Sequence, residues 1–366
     1  MNYKHFKELS LSCLGLGNMR LPTNPEIEGN PIDRKAAGNI LDYAMKNGVN
    51  YYDTAYVYNS GDSEKFLGET ITKYPRKSYY LATKFLIGSN PDYKAVFEEQ
   101  LMRLNTDYID FYLIHAVMEN SAQKYIDSGC IEYFNELRKQ GKIRYLGFSN
   151  HSSPDTLKMF IGQNNWDFVQ LQLNYYDWEY GSAKKEYEIV TESGLPVIVM
   201  EPVRGGKLAN LTDDANKLLK DAHPDWSIAS WAFRWLRTLP NVQVILSGMS
   251  NMEQVIDNVN TFSADSSLSE EDTKLLFKAR DMFKNQIQVP CTACRYCCDD
   301  CPKNINIPEI LSVYNDYKLN GDGALDRLKK SDKTGPKECI GCKNCTGHCP
   351  QSIDVPKIMK ELAEKL

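Results

Sequence analysis

The chain has 366 residues, and none of its apolar runs is long enough to cross a bilayer, so a helical membrane protein is excluded. No basic tract stands out and the formal charge is −5, so nucleic acid is not expected as a main partner. Met1 to Ser12 is charged and lacks the apolar stretch of a secretory signal, and the expected location is the cytoplasm. No glycine-rich dinucleotide loop follows the first strand-like run, which argues against an open doubly wound sheet. Cysteine is nearly missing from the first 285 residues, where Cys13 and Cys130 stand alone. The other nine of the 11 cysteines fall between Cys291 and Cys349. A disulfide framework is unusual in a cytosolic chain of this size, so these clustered thiols point to metal.

A chain of this length exceeds the size at which a single core usually stops growing, and two domains are expected. In the first part, short apolar runs alternate with amphipathic stretches. The strand-like runs are Cys13–Gly17, Val49–Asp53, Tyr79–Lys84, Ile109–His115, Ile143–Phe148, Phe168–Leu173, Val197–Glu201 and Val244–Ser247. Helix-like stretches between them include Asp33–Asn47, Pro91–Asn105, Ile131–Gln140 and Met252–Asn260. Eight such pairs over roughly 250 residues is the rhythm of a (β/α)8 barrel. Met1–Leu11 can add a hairpin before the first barrel strand. Leu268–Lys284 reads as a further helix with Ser269 as its cap. The expected division is therefore a barrel over 1–285 and a cysteine-rich module over 286–366, with a helix near Ile307–Lys318.

The case for iron–sulfur rests on spacing. Cys291, Cys294, Cys297 and Cys301-Pro302 form one C-x2-C-x2-C-x3-C-P motif, and Cys339, Cys342, Cys345 and Cys349-Pro350 form a second. Two-residue spacers let a tight loop wrap three corners of a cubane, and the fourth thiolate comes from further away. In paired motifs the fourth cysteine ligates the other cluster. One [4Fe–4S] cluster is thus assigned to Cys291, Cys294, Cys297 and Cys349, the other to Cys339, Cys342, Cys345 and Cys301. Zinc is the rival, but zinc ribbons use two ligands per knuckle, whereas each motif here supplies four. Cys298 lies outside the pattern and reads as a spare thiol. Residues 286–366 resemble a two-cluster bacterial ferredoxin in these motifs, and the resemblance implies an α+β, ferredoxin-like iron–sulfur module.

Polar residues stand where successive barrel strands end: Asp53 and Tyr58 after the second, Lys84 on the third, His115 on the fourth. Each alone has an ordinary structural reading, and Tyr51, Tyr52 and Tyr56 lie close to Tyr58. Their joint occurrence matters because active sites of barrels are built at these C-terminal ends.

The same residues resemble the aldo-keto reductase family. Asp53-Thr-Ala-x-x-Tyr58, with Ser63-Glu64 and Leu67-Gly68, is similar to the family signature, and Lys84 and His115 match its other two catalytic positions. Gly141 to Asn150 resembles the segment in which Ser149 and Asn150 hold the nicotinamide carboxamide, with Gln170 joining them. Gly248 to Asn258 resembles the adenosine-binding segment. The resemblance implies a cofactor site built from Gly17, Asn18, Met19, Ser149, Asn150, Gln170, Met200, Pro202, Arg204, Ser250, Gln254, Asp257 and Asn258. It implies carbonyl reduction by NADPH or NADH, with Tyr58 as general acid, Lys84 stabilising its anion, Asp53 holding Lys84, and His115 orienting the substrate oxygen. Two departures are evident. Met200 stands where a tyrosine usually stacks on the nicotinamide, and Ser250 where members often carry arginine.

Three functional readings follow: a carbonyl reductase whose clusters serve a redox partner such as ferredoxin or flavodoxin, a nicotinamide-binding redox sensor with little turnover, and an electron carrier with an inert barrel. The intact Asp53, Tyr58, Lys84 and His115 set speaks against the third. A flavin would match two-electron hydride to one-electron clusters, but the chain carries no dinucleotide fingerprint for one.

Overall fold

The computed structural model describes residues 1–264, 267–284, 287–329 and 334–366. It contains two compact units: Met1–Pro202 with Ala229–Glu270, and Val203–Ile228 with Glu271–Leu366. The expected border at 285/286 lies outside the described residues. The grouping is also not linear, since 203–228 belongs with the C-terminal unit.

The first unit opens with a hairpin, β1 (Tyr3–Phe6) and β2 (Leu9–Ser12), in which Tyr3 pairs with Ser12 and Phe6 with Leu9. Eight parallel strands follow: β3 (Leu14–Gly17), β4 (Tyr51–Asp53), β5 (Tyr80–Phe85), β6 (Ile109–Val117), β7 (Ile143–Asn150), β8 (Phe168–Gln172), β9 (Val197–Met200) and β10 (Val242–Ser247). They close into a barrel because β10 pairs with β3, Ile245 opposite Leu14. Phe6, Leu9 and Leu11 of the hairpin pack with Tyr51, Phe111, Tyr145 and Phe168. These four stand at or near the starts of their strands, so the hairpin covers the N-terminal end of the barrel. The C-terminal ends are left for chemistry.

Strand ends depart from the expected ones by two residues or fewer. The two-residue extension of β6 has a local cause. Pairing of β6 with β7 shifts register between Ile114 and Val117, then resumes with Val117 opposite Asn150. Such a bulge bends a strand and re-aims its side chains. It falls at His115, and the next residue, Ala116, takes a left-handed φ of 50°.

The helices form where the sequence places caps and apolar stripes. Asp33 accepts from the amides of Lys35 and Ala36 and starts Arg34–Lys46, which buries Ala37, Ile40, Leu41 and Ala44 on one face. Helices Asp62–Ile71 and Tyr93–Leu104 approach closely at Gly68: a Cβ there would lie 2.2 Å from the Arg103 carbonyl oxygen. The signature glycine therefore serves packing.

The second unit is helical among its described residues, so the α+β expectation is met in its helices only. Its core gathers Ile307, Ile310, Leu311, Val355, Met359 and Leu362 with Cys297 and Cys345. The repeat seen in the cysteines extends further. Arg295 and Lys343 share left-handed backbone at φ 70° and 65°. Helices Ile307–Asn320 and Val355–Ala363 both begin with Pro in their first turn. Each pair is offset by 48 residues (343 − 295 and 355 − 307), the offset between Cys291 and Cys339.

Candidate functional site

Asp53 closes β4 opposite Ala82 of β5, whose carbonyl accepts from the Thr54 amide, and Lys84 lies two residues beyond Ala82 on β5. The Lys84 ammonium donates to Asp53 Oδ1 at 2.6 Å, to the Thr54 carbonyl at 2.7 Å and to Tyr58 Oη at 3.3 Å. The His115 ring stands edge-on to Tyr58, centroids 5.7 Å apart. All four side chains are buried. The structure thus brings together the four residues that lie 62 positions apart in the chain (115 − 53).

Burial pushes the Lys84 ammonium below its usual range and the Asp53 carboxyl above its own, and the ion pair opposes both shifts. Burial, then the Lys84 charge, holds His115 well below the usual imidazole range, so its ring is neutral at pH 7. Tyr58 is followed by Asn59 and Ser60 at φ 51° and 55°, left-handed values that store backbone strain at a side chain to be positioned. Among the neighbouring tyrosines, Tyr58 is the one bonded to Lys84. Tyr56 donates to Glu99 at 2.8 Å beneath the Arg103 guanidinium, Tyr52 donates to the Val49 carbonyl, and Tyr51 packs on Phe111.

A buried polar network behind the site was not read from the sequence. Glu64 accepts from Thr83 at 2.5 Å, Gln100 at 2.7 Å and Arg103 at 3.2 Å. Ser63 bonds Thr54 and donates to the Asn18 carbonyl. Asn18 in turn donates to the Asp53 carbonyl at 2.8 Å. Ser63 and Glu64 were visible as part of the signature, but Thr83, Gln100 and Arg103 carry no motif of their own.

The residues implied to hold the cofactor fall into three groups. The first two lie in the barrel unit. In the first group, Ser149 Oγ accepts from the Ala116 amide at 2.8 Å, and Gln170 donates to Met200 Sδ at 3.5 Å. Gln170 Oε1, Asn18 Oδ1 and Asp53 Oδ2 are buried without a hydrogen-bond partner. Such orphaned acceptors fit a ligand carrying amide or hydroxyl donors. Asn150 Oδ1 accepts from Ser152 Oγ at 2.6 Å, and its Nδ2 donates to Glu186 Oε2 at 3.4 Å. Met19 follows Asn18 after Gly17 ends β3, and Pro202 follows the end of β9. At the start of helix Met252–Ser263, the Ser250 amide donates to Gln254, and Ser250 Oγ donates to the Arg20 carbonyl at 2.7 Å. Asn258 donates to Ser247 Oγ at 2.9 Å, and Asp257 precedes it on the helix. The third group is Arg204 alone, a buried residue of the second unit.

His151, directly after β7, donates its amide to the Val117 carbonyl. Burial lowers its imidazole to about 4, assisted by the Lys84 charge. An unfolded chain protonates histidine near 6.5. The unfolded state therefore takes up the proton first, and stability is lost as pH falls from about 6.5 toward about 4. Thermal melts across this window should show a smaller decline for His151→Gln than for the parent protein. Parallel declines would remove His151 from the account.

In the second unit, Cys301, Cys339, Cys342 and Cys345 line one recess with Pro302, Ile305 and Met359. Three are from the second motif and one is the last cysteine of the first. Cys291 and Cys294 lie within electrostatic range of Cys297, whose thiol is pushed up by a hydrogen bond with the Cys298 thiol and by burial. Cys291 and Cys349 both pack on the core that holds Cys297. Among the described residues, no three cysteine, histidine or acidic side chains converge as ligands of one ion. The donor set of that recess, four thiols, is the one whose chemistry suits an iron–sulfur cluster.

Known proteins share the family and the fold. The aldo/keto reductase family matches residues 13–281, and the 4Fe-4S dicluster domain matches residues 290–353. An uncharacterized oxidoreductase of Bacillus subtilis, YqkF, is 28% identical over 76% of this chain and 96% of its own. The NADH-specific methylglyoxal reductase of Escherichia coli is 27% identical over 74% of this chain and 94% of its own. Among solved structures, the holo form of aldo-keto reductase AKR11C1 from Bacillus halodurans superposes with a TM-score of 0.62 at 29% identity, covering 76% of this chain and 96% of that one. With the barrel closed, the strand-end residues assembled and the family match spanning most of the chain, this protein belongs to the aldo/keto reductase family, as an oxidoreductase that carries a 4Fe-4S domain after its barrel.

Proposed function

We propose that the barrel reduces a small carbonyl compound with a nicotinamide cofactor, and that two [4Fe–4S] clusters in the second unit exchange single electrons with a redox partner such as ferredoxin or flavodoxin. The observation that carries the reading is one ammonium, Lys84, bonded to both Asp53 and Tyr58. The nicotinamide, when bound, supplies hydride to the carbonyl carbon. As negative charge grows on the carbonyl oxygen, Tyr58 Oη gives it a proton. A cation 3.3 Å from that oxygen favours the tyrosinate left behind. Asp53 keeps the cation in place, at 2.6 Å. Neutral His115 can donate a hydrogen bond to the substrate oxygen and fix its direction.

The E. coli relative acts on methylglyoxal, by its name, which supports a short carbonyl compound as substrate class. The proposed cofactor is NADPH or NADH, because Ser250 stands where the family often carries arginine at the adenosine end.

The test is anaerobic. Protein is mixed with NADH or NADPH, and then with aldehydes, ketones or quinones, while absorbance and electron paramagnetic resonance are followed. Nicotinamide oxidation should require the carbonyl compound. Nicotinamide alone should not rapidly reduce the clusters, because hydride delivers two electrons and a cluster accepts one. Tight nicotinamide binding with no turnover across the panel would favour the sensor reading instead.

A further inference from the structure

The segment after β9 carries two cations, Arg204 and Lys207, and it belongs to the same compact unit as the cysteine motifs. Its contact with the first motif is through backbone. Gly205 has φ +66°, and a Cβ on it would lie 2.1 Å from the Thr292 carbonyl oxygen, beside Cys291. No side chain fits there. Lys207, two residues on, is half-buried. The groups acting on its ammonium besides burial are Cys291, Arg204 and Asp316.

The cysteine side of this contact is also held. Asn315, on helix Ile307–Asn320, bonds Val289 in both directions: Asn315 Oδ1 accepts from its amide at 2.6 Å, and Nδ2 donates to its carbonyl at 3.0 Å. Val289 is two residues before Cys291, and Asp316 directly follows Asn315. One clamp therefore fixes both Cys291 and Asp316, the two groups that raise the affinity of Lys207 for its proton. Asp316 is also paired with Arg327, which divides its attraction between two cations.

We propose that Lys207 is a positioning charge that raises the reduction potential of the cluster assigned to Cys291, Cys294, Cys297 and Cys349, with Gly205 holding the charge in place. This rests on the reading of Cys291 as a cluster ligand. Reduction adds one electron to the cluster and no proton, so its negative charge increases by one. A partly desolvated ammonium beside a ligand stabilises that added charge more than a solvated one does. Net charge around the ligand sulfurs is among the terms that set a cluster's potential. Lys207 stands with the first motif, whereas the recess of the second motif is lined by its own cations, Lys303 and Lys343.

The test is a redox titration of the whole anaerobically prepared protein, followed by electron paramagnetic resonance, with iron measured in the same samples. Lys207→Met should leave iron content unchanged. It should lower the reduced fraction of one cluster about tenfold at fixed ambient potential, a shift of about 59 mV for one electron. Lys207→Arg should restore the parent value. Gly205→Ala should shift the same cluster, because the Thr292 carbonyl must move. Full iron with unchanged potentials in Lys207→Met would overturn the proposal, as would an equal shift of both clusters. Protein that binds no iron in its parent form would instead overturn the cluster reading.

Discussion

Tyr58→Phe should lose about 10²- to 10⁴-fold in carbonyl reduction, the usual weight of a general acid, while still binding nicotinamide. The substitution removes one oxygen and keeps the ring that stands edge-on to His115. It also removes an acceptor from Lys84, which retains Asp53 and the Thr54 carbonyl. The ion pair should therefore survive, and the variant should fold. Steady-state rates with a good carbonyl substrate, paired with nicotinamide titration by fluorescence, make the measurement. Tyr56→Phe is the control. Its hydroxyl serves Glu99, so turnover should stay near the parent value. Unchanged turnover in Tyr58→Phe, with loss in Tyr56→Phe, would transfer the role to the neighbour.

Cys301→Ser should remove one cluster of two, and it should be the one whose other ligands are Cys339, Cys342 and Cys345. The reason is spatial: Cys301 lines the same recess as those three. Iron should fall by about half, from about eight per chain to about four, given four per cubane. Cys349→Ser should lose the other half. The two variants are distinguished by making each in a background where Lys207 is also replaced. The cluster that remains in Cys301→Ser should respond to Lys207, and the one that remains in Cys349→Ser should not. Loss in each variant of the cluster on its own motif would show that the ligands are not crossed. Full zinc loading and no iron in the parent protein would reject both assignments.

Much of the barrel was legible because its strands are buried on both faces. Continuous runs such as Phe111-Tyr-Leu-Ile114 have no polar residue to blur them, and all are fully buried. The caps Asp33, Ser153 and Asn251 mark helix starts for a local reason, since each side chain accepts from amides two or three residues ahead. The second unit was legible in its cysteines and not in its helices. The 48-residue offset that also relates Ile307 to Val355 is carried by a single proline and a few apolar positions, too little to stand out without the cysteines.

What local pattern dictates is therefore the list of parts: eight strands, the helices between them, two four-cysteine motifs, and polar residues at three strand ends. Periodicity, caps and spacing act over a few residues, and a single sequence displays them directly. Which tyrosine faces Lys84 was a different matter, because Tyr56 and Tyr58 differ by one turn of loop, and left-handed backbone at Asn59 and Ser60 together with the pull of Glu99 and Arg103 separates them. The turning inward of Asn150 toward Ser152 and Glu186, and the gathering of Thr83, Gln100 and Arg103 around Glu64, were decided the same way. So was the grouping of 203–228 with the cysteine motifs, through a glycine that leaves room for a carbonyl. These are meetings of residues far apart in the chain. A buried donor or charge takes whichever partner the closed barrel brings within about 3 Å, and the energy of leaving it unpaired selects among arrangements that no local pattern distinguishes.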